Sequence, residues 1–147
     1  MAARHQENVR ENNADVEKKN NMAEKRFADS SKEDYLKTIL KIIREKDKCR
    51  VIDISRQLNV TKASASIAVK KLEGEGLIWK EKNNLLLTEE GEKIAEKIYE
   101  RGNFFEAWFE KIGIDEETAK EDACAIEHVL SEMTYSKVKE YVKNTEK

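Results

Sequence analysis

Apolar residues first recur with helical spacing at Tyr35, Leu36, Ile39, Leu40 and Ile43, the stripe of a helix packed against a core. Ser30, followed three residues on by Glu33, has the pattern of a capping box that would start this helix. A second short helix is expected over residues 52–58, and a third from 62 to about 75 with Ile67, Val69 and Leu72 as its apolar positions. Between them, Asn59 suits the left-handed residue that ends one helix and Thr61 the cap that opens the next. Two apolar runs, 77–82 and 85–87, flank Asn83-Asn84 and predict a small hairpin. Thr88 then caps a long helix to about residue 113, with Ile94, Ile98, Phe105, Trp108 and Phe109 on its apolar side. Asp115 opens another helix to about residue 133, and a last one spans 135–143. The predicted fold class is mainly α, a winged helix-turn-helix followed by a helical part.

Residues 1–29 are polar, asparagine-rich and lack a sustained apolar stripe, which predicts a flexible or loosely helical extension. The domains are then expected at 30–88 and 89–147. Charge sharpens the division. Residues 31–87 carry 13 basic and 8 acidic side chains, whereas 88–147 carry 9 and 16. A basic middle followed by an acidic end points to a polyanion-binding unit joined to something else. Two cysteines, Cys49 and Cys124, are too few for a disulfide scaffold. No apolar run reaches the roughly 18 residues of a membrane span, and the start lacks an apolar signal segment, so a cytoplasmic protein is expected.

A helix-turn-helix with a wing places its second helix in the major groove of double-stranded DNA, N-terminus toward the bases. Thr61, Lys62 and Ser64 are therefore candidates for base or phosphate contact. Ser66, Lys70 and Lys71 would reach flanking phosphates, as would Lys80 and Lys82 in the wing. Alternatively, Thr61 and Ser64 only cap and solvate an ordinary helix.

Cys124, Glu127 and His128 stand at i, i+3 and i+4 of a predicted helix, so all three can project to one side. Thiolate, carboxylate and imidazole together suit a borderline divalent transition metal. The competing reading is a buried free thiol, a solvated acid and a hydrogen-bonded histidine.

Taken together, residues 31–143 resemble the diphtheria-toxin-repressor family of metal-dependent transcriptional repressors, including its manganese-transport-regulator branch. The resemblance rests on Glu33-Asp34-Tyr35-Leu36, Val60-Thr61-Lys62-Ala63-Ser64, Lys71-Leu72-Glu73-Gly74-Glu75-Gly76-Leu77-Ile78, Leu87-Thr88 with Gly91, Ile112-Gly113-Ile114-Asp115, and residues 124–131. It implies a homodimer in a short form without the SH3-like domain of longer members. It also implies a regulatory metal held by Asp34, Cys124, Glu127 and His128, joining the DNA-binding half to the dimerisation helices. Dimerisation is then expected on Ile98, Phe104, Phe105, Trp108 and Phe109, of which some must instead be internal core. No small-molecule substrate is implied.

The departures matter as well. Where the family places ancillary-site ligands, this chain has Gly102, Lys37 and Lys120, with only Glu106 matching. One metal per subunit is therefore expected, and Lys37 could instead pair with Asp34 as an internal substitute for metal. The donor set points to Fe²⁺ first and Mn²⁺ second, with Co²⁺, Ni²⁺ or Zn²⁺ acceptable in vitro. Two alternatives remain: a metal-independent winged-helix regulator with a degenerate site, and an enzyme built on a Cys124–His128 nucleophile pair.

Overall fold

The computed structural model describes the backbone of residues 2–146 and the side chains of 13–18 and 30–146. The elements are α1 (Ala2–Lys46), α2 (Val51–Leu58), α3 (Lys62–Gly74), β1 (Ile78–Glu81), β2 (Asn84–Leu87), α4 (Glu89–Lys111), α5 (Glu116–Ile126) and α6 (Glu132–Thr145). The expected order is present: a helix, a helix-turn-helix, a two-stranded antiparallel wing and three further helices. No helix among the described residues is long and apolar enough to cross a membrane.

The local signals at the helix ends behave as physical chemistry requires. Asn59 is left-handed (φ 54°, ψ 47°) and ends α2. Thr61, Thr88, Asp115 and Ser131 each accept a hydrogen bond from a backbone N–H three residues on, capping α3, α4, α5 and α6 in turn.

Three expectations are corrected. The first helix does not start at Ser30: α1 runs unbroken from Ala2, and no glycine or proline interrupts residues 2–46. Residues 2–29 thus carry helical backbone. The wing turns at Lys82-Asn83, because Asn84 already pairs with Glu81 in the ladder. Asn84 is held there from outside: its Oδ1 accepts from the Cys49 N–H at 3.0 Å, and the Leu85 N–H donates to the Cys49 carbonyl at 2.8 Å. Finally, α5 stops at Ile126 instead of continuing to residue 133. Residues 127–130 form a turn, and Ser131 opens α6. The buried guanidinium of Arg101 stabilises that turn by donating to the carbonyls of Leu130 (2.9 Å) and Glu127 (3.4 Å).

Two cores follow. The larger joins α1, α2, α3, the wing and the start of α4 through Leu36, Ile39, Ile54, Val69, Leu72, Ile78, Leu85 and Ala95. The smaller is aromatic, with Phe105 and Tyr135 buried and Phe104, Trp108 and Phe109 packed around them. Gly91 marks where α4 meets the wing, since a Cβ there would stand 2.0 Å from the Leu77 carbonyl oxygen. Gly91→Ala should therefore destabilise the fold by about 1–3 kcal/mol, the usual cost of overpacking. Equilibrium urea unfolding checks this, and an unchanged midpoint would show that the contact yields freely.

Candidate metal centre and nucleic-acid interface

Helix α1 presents Glu33, Asp34 and Lys37 along one side, and the turn after α5 presents Glu127 and His128 against them. The His128 side chain is only 4% exposed. Its Nδ1 lies 2.8 Å from Glu33 Oε2 and its Nε2 lies 2.7 Å from Asp34 Oδ1. Nε2 also stands 3.2 Å from Glu127 Oε1. With carboxylate oxygens against both nitrogens, the ring is held as an imidazolium. Burial alone would lower the His128 pKa, but hydrogen bonds to Asp34, Glu127 and Glu33 outweigh it and push the pKa up to about 11.

Glu127 is fully buried. Its Oε1 accepts from Lys37 Nζ at 2.8 Å, while its Oε2 has no hydrogen-bond partner among the described residues. Burial opposes the Lys37 charge, yet the hydrogen bond and attraction to Glu127 win and raise its pKa. Lys37 thus pairs with Glu127, not with Asp34 as one sequence reading allowed. Asp34 is taken by His128.

Of the four expected ligands, the structure brings three together. Donor atoms of Asp34, Glu127 and His128 lie within 4.8 Å of one another. Cys124 stands outside that group, exposed, with Sγ 3.8 Å from Lys37 Nζ. Cys124 lies one turn before Glu127, whose backbone is still helical (φ −58°, ψ −27°), and the Lys37 ammonium contacts both the thiol and the carboxylate. Two carboxylates and an imidazole suit a divalent transition metal, and the partnerless Glu127 Oε2 is a further oxygen donor for one. The Cys124–His128 pair of the enzyme alternative is not formed, since both ring nitrogens face carboxylates. The other thiol, Cys49, is buried, and burial aided by Asp53 pushes its pKa up to about 12.

Two residues of this site escaped sequence reasoning. Glu33 was read as part of a cap and of the family-like segment 33–36, not as a site residue. Arg101 sits buried beneath the turn, with Nη2 2.7 Å from Glu132 Oε2 and its guanidinium over the Tyr135 ring. Gly102, beside it, leaves the space that Glu127 fills, because a Cβ would stand 2.1 Å from Glu127 Oε2.

On the winged unit, Thr61, Lys62, Ser64, Lys70, Lys71, Lys80 and Lys82 are exposed and Ser66 is half-buried. Thr61 Oγ1 is occupied by the cap and donates to Ser64 Oγ at 2.9 Å. A cleft of about 350 Å³ between α2, α3 and the wing gathers Lys62, Ser66 and Lys80 with Arg50, a cation overlooked in the sequence. Ile67 stands 70% exposed on the same helix. Among the residues expected at a dimer interface, Ile98 and Phe105 are buried within this chain. Phe104, Trp108 and Phe109 remain partly exposed, as does Ile112 more fully.

Residues 29–85 match the N-terminal DNA-binding domain of iron-dependent repressors, and residues 88–147 match their metal-binding and dimerisation domain. The HTH-type transcriptional regulator MntR of Bacillus subtilis (strain 168) is 39% identical over 102 residues, covering 69% of this chain and 72% of that protein. Its counterpart in Lysinibacillus sphaericus (strain C3-41) is 36% identical over 102 residues, 69% of this chain and 73% of that protein. Among solved structures, IdeR of T. acidophilum superposes with a TM-score of 0.67 at 30% identity, covering 76% of this chain and 53% of that one. The manganese regulator SloR gives 0.69 at 27% identity, with 76% and 53% covered. The chain thus spans about half the length of these solved structures.

The His128 clamp has a pH consequence in the metal-free protein. Its folded pKa of about 11 lies above the ordinary 6.5, so its stabilisation is complete below pH 6.5 and is lost as pH rises toward 11. The urea midpoint should fall between pH 6 and pH 8.5, and fall less in His128→Gln. Equal slopes in both proteins would remove the clamp from the stability balance.

Proposed function

Because the chain belongs to the iron-dependent repressor family of metal-dependent transcriptional repressors, we propose that Asp34, Glu127 and His128 form its regulatory metal site. The observation that carries this reading is the convergence of one ligand from α1 with two from the turn between α5 and α6. Cys124, one turn before the pair, is proposed as a fourth ligand that swings in from Lys37. A bound divalent metal supplies a strong point charge that these donors share.

The residues around the site do the rest. Arg101 fixes the turn so that Glu127 and His128 face α1. To ligate through Nε2, His128 would release that nitrogen's proton and its hydrogen bond to Asp34 while Nδ1–H stays on Glu33, so metal uptake would compete with protons. Asp34 sits on the same helix whose later turns pack against α2 and α3. Fixing it against the turn therefore fixes the DNA-binding half relative to the helices of residues 89–147. We place a homodimer contact on the partly exposed aromatics Phe104, Trp108 and Phe109, with Ile98 and Phe105 as the core behind them. Two copies would then hold their α3 helices about 34 Å apart for successive major-groove turns of an operator. There Thr61, Lys62 and Ser64 meet the bases or nearby phosphates, with Ser66, Lys70, Lys71, Lys80 and Lys82 on flanking phosphates. This is a cytoplasmic repressor in the proposed reading, and no substrate turnover enters it.

Two carboxylates and an imidazole suit both Fe²⁺ and Mn²⁺, and Cys124 decides between them: a thiolate ligand favours Fe²⁺, and three N/O donors alone make Mn²⁺ equally comfortable. An anaerobic Co²⁺ titration followed by absorbance tests the ligand set. One equivalent per subunit is expected, lost in His128→Ala, with a near-ultraviolet thiolate band that Cys124→Ser removes. The same protein should select duplexes from a random DNA pool with metal and lose them on chelation. Selection that survives chelation, without any Co²⁺ uptake, would contradict the proposal and favour a metal-independent regulator.

A further inference from the structure

We propose that Lys37 is a built-in competitor of the regulatory metal, and that it sets the concentration of metal at which this site fills. The inference rests on the metal site proposed above and concerns the residue that opposes it. Glu127 is fully buried, and a carboxylate in that position needs a positive partner. Two groups approach it, Lys37 Nζ at 2.8 Å and His128 Nε2 at 3.2 Å, and both approach Oε1. That is the oxygen facing His128, hence the one a metal shared with His128 would take.

The ammonium is held in place from several sides. Lys37 lies one helical turn past Asp34, its side chain is 15% exposed, and its Nζ also stands 3.8 Å from Cys124 Sγ. Gly102 makes room for the pair, since a Cβ there would stand 2.1 Å from Glu127 Oε2 and 3.5 Å from Lys37 Nζ. Lys37 therefore engages one of the three converging ligands and touches the thiol proposed as the fourth. An ammonium and a divalent cation on the same carboxylate oxygen repel at contact distance. They are alternative occupants, and metal must expel the ammonium to enter.

Removing the competitor should make the site more sensitive. Lys37→Gln and Lys37→Met should bind Mn²⁺ at free concentrations lower by on the order of ten- to a hundredfold, the worth of one hydrogen bond to a charged group. Lys37→Arg, which keeps the cation, should not gain affinity. The readout is the electron paramagnetic resonance signal of free Mn²⁺ during titration. A second readout uses the unaltered protein and so does not depend on any variant folding. Amine labelling of Lys37, followed by mass spectrometry, should increase when saturating Mn²⁺ releases the side chain. Equal Mn²⁺ affinity in wild type and both neutral variants, or Lys37 labelling unchanged by bound Mn²⁺, would overturn the competition while leaving the metal site standing. Binding by the neutral variants alone would support it in its strongest form. No binding by any of the proteins would overturn the metal site itself, and the competition with it.

Discussion

Burying the Glu127 carboxylate obliges helices α1 and α4 and the neighbouring His128 to supply charge and space around it. Helix α1 sends Lys37 to its Oε1, and His128 brings a second positive group to the same atom. Helix α4 contributes the missing side chain of Gly102 and, one residue earlier, the buried guanidinium that holds the turn's carbonyls. An unpaired carboxylate in that position would cost several kcal/mol, so these groups act together. The consequence is mechanical: the first helix of the winged unit and the turn beyond α5 are joined by charge, in addition to the packing of α1 on α4.

That junction is connected to α2, α3 and the wing by one packed core. Leu36, Ile39 and Leu40, on the turns of α1 that follow Asp34, share one core with Ile54 of α2 and with Val69 and Leu72 of α3. A change in how α1 sits against the turn is therefore a change in how α3 sits against the helices beyond the wing. Packed cores of this kind transmit displacement and do not absorb it. The wing follows the same frame, tied at its tip to Cys49 and at its base to the start of α4, where Thr88 caps the helix and its Oγ1 donates to the Gly76 carbonyl at 2.8 Å.

Most of this architecture was legible along the chain because its signals are local. Asn59, Thr61, Thr88 and Asp115 act within four residues of themselves, and the hairpin follows from two short apolar runs. The register of the wing was misjudged by one residue because Asn84 answers to Cys49, 35 positions away. The end of α5 was missed for a related reason: Arg101, from another helix, stabilises the turn that replaces its last part. Ser131 followed three residues on by Thr134 was a capping signal that could have revealed the break. The ligand geometry has a different origin: Glu127 keeps a helical backbone, so Cys124 and Glu127 still share a side, and the Lys37 ammonium of α1 contacts the exposed thiol and the buried carboxylate alike. Glu33 and Arg101 were illegible as site residues because an acid in a polar stretch and an arginine on a charged helix carry no mark of their distant partners.

The central claim is that occupancy of the Asp34–Glu127–His128 cluster and the DNA-competent arrangement of the molecule are one equilibrium. Linkage then requires DNA to strengthen metal binding by the same factor by which metal strengthens DNA binding. The most direct test is to measure Mn²⁺ affinity in the absence and presence of a saturating duplex selected by the protein itself. A gain of roughly 5- to 150-fold, matched by an equal gain in DNA affinity on adding Mn²⁺, is the predicted result. Metal affinity indifferent to bound DNA would contradict the account, because the cluster would then hold its metal without reporting it to the helix that meets the duplex.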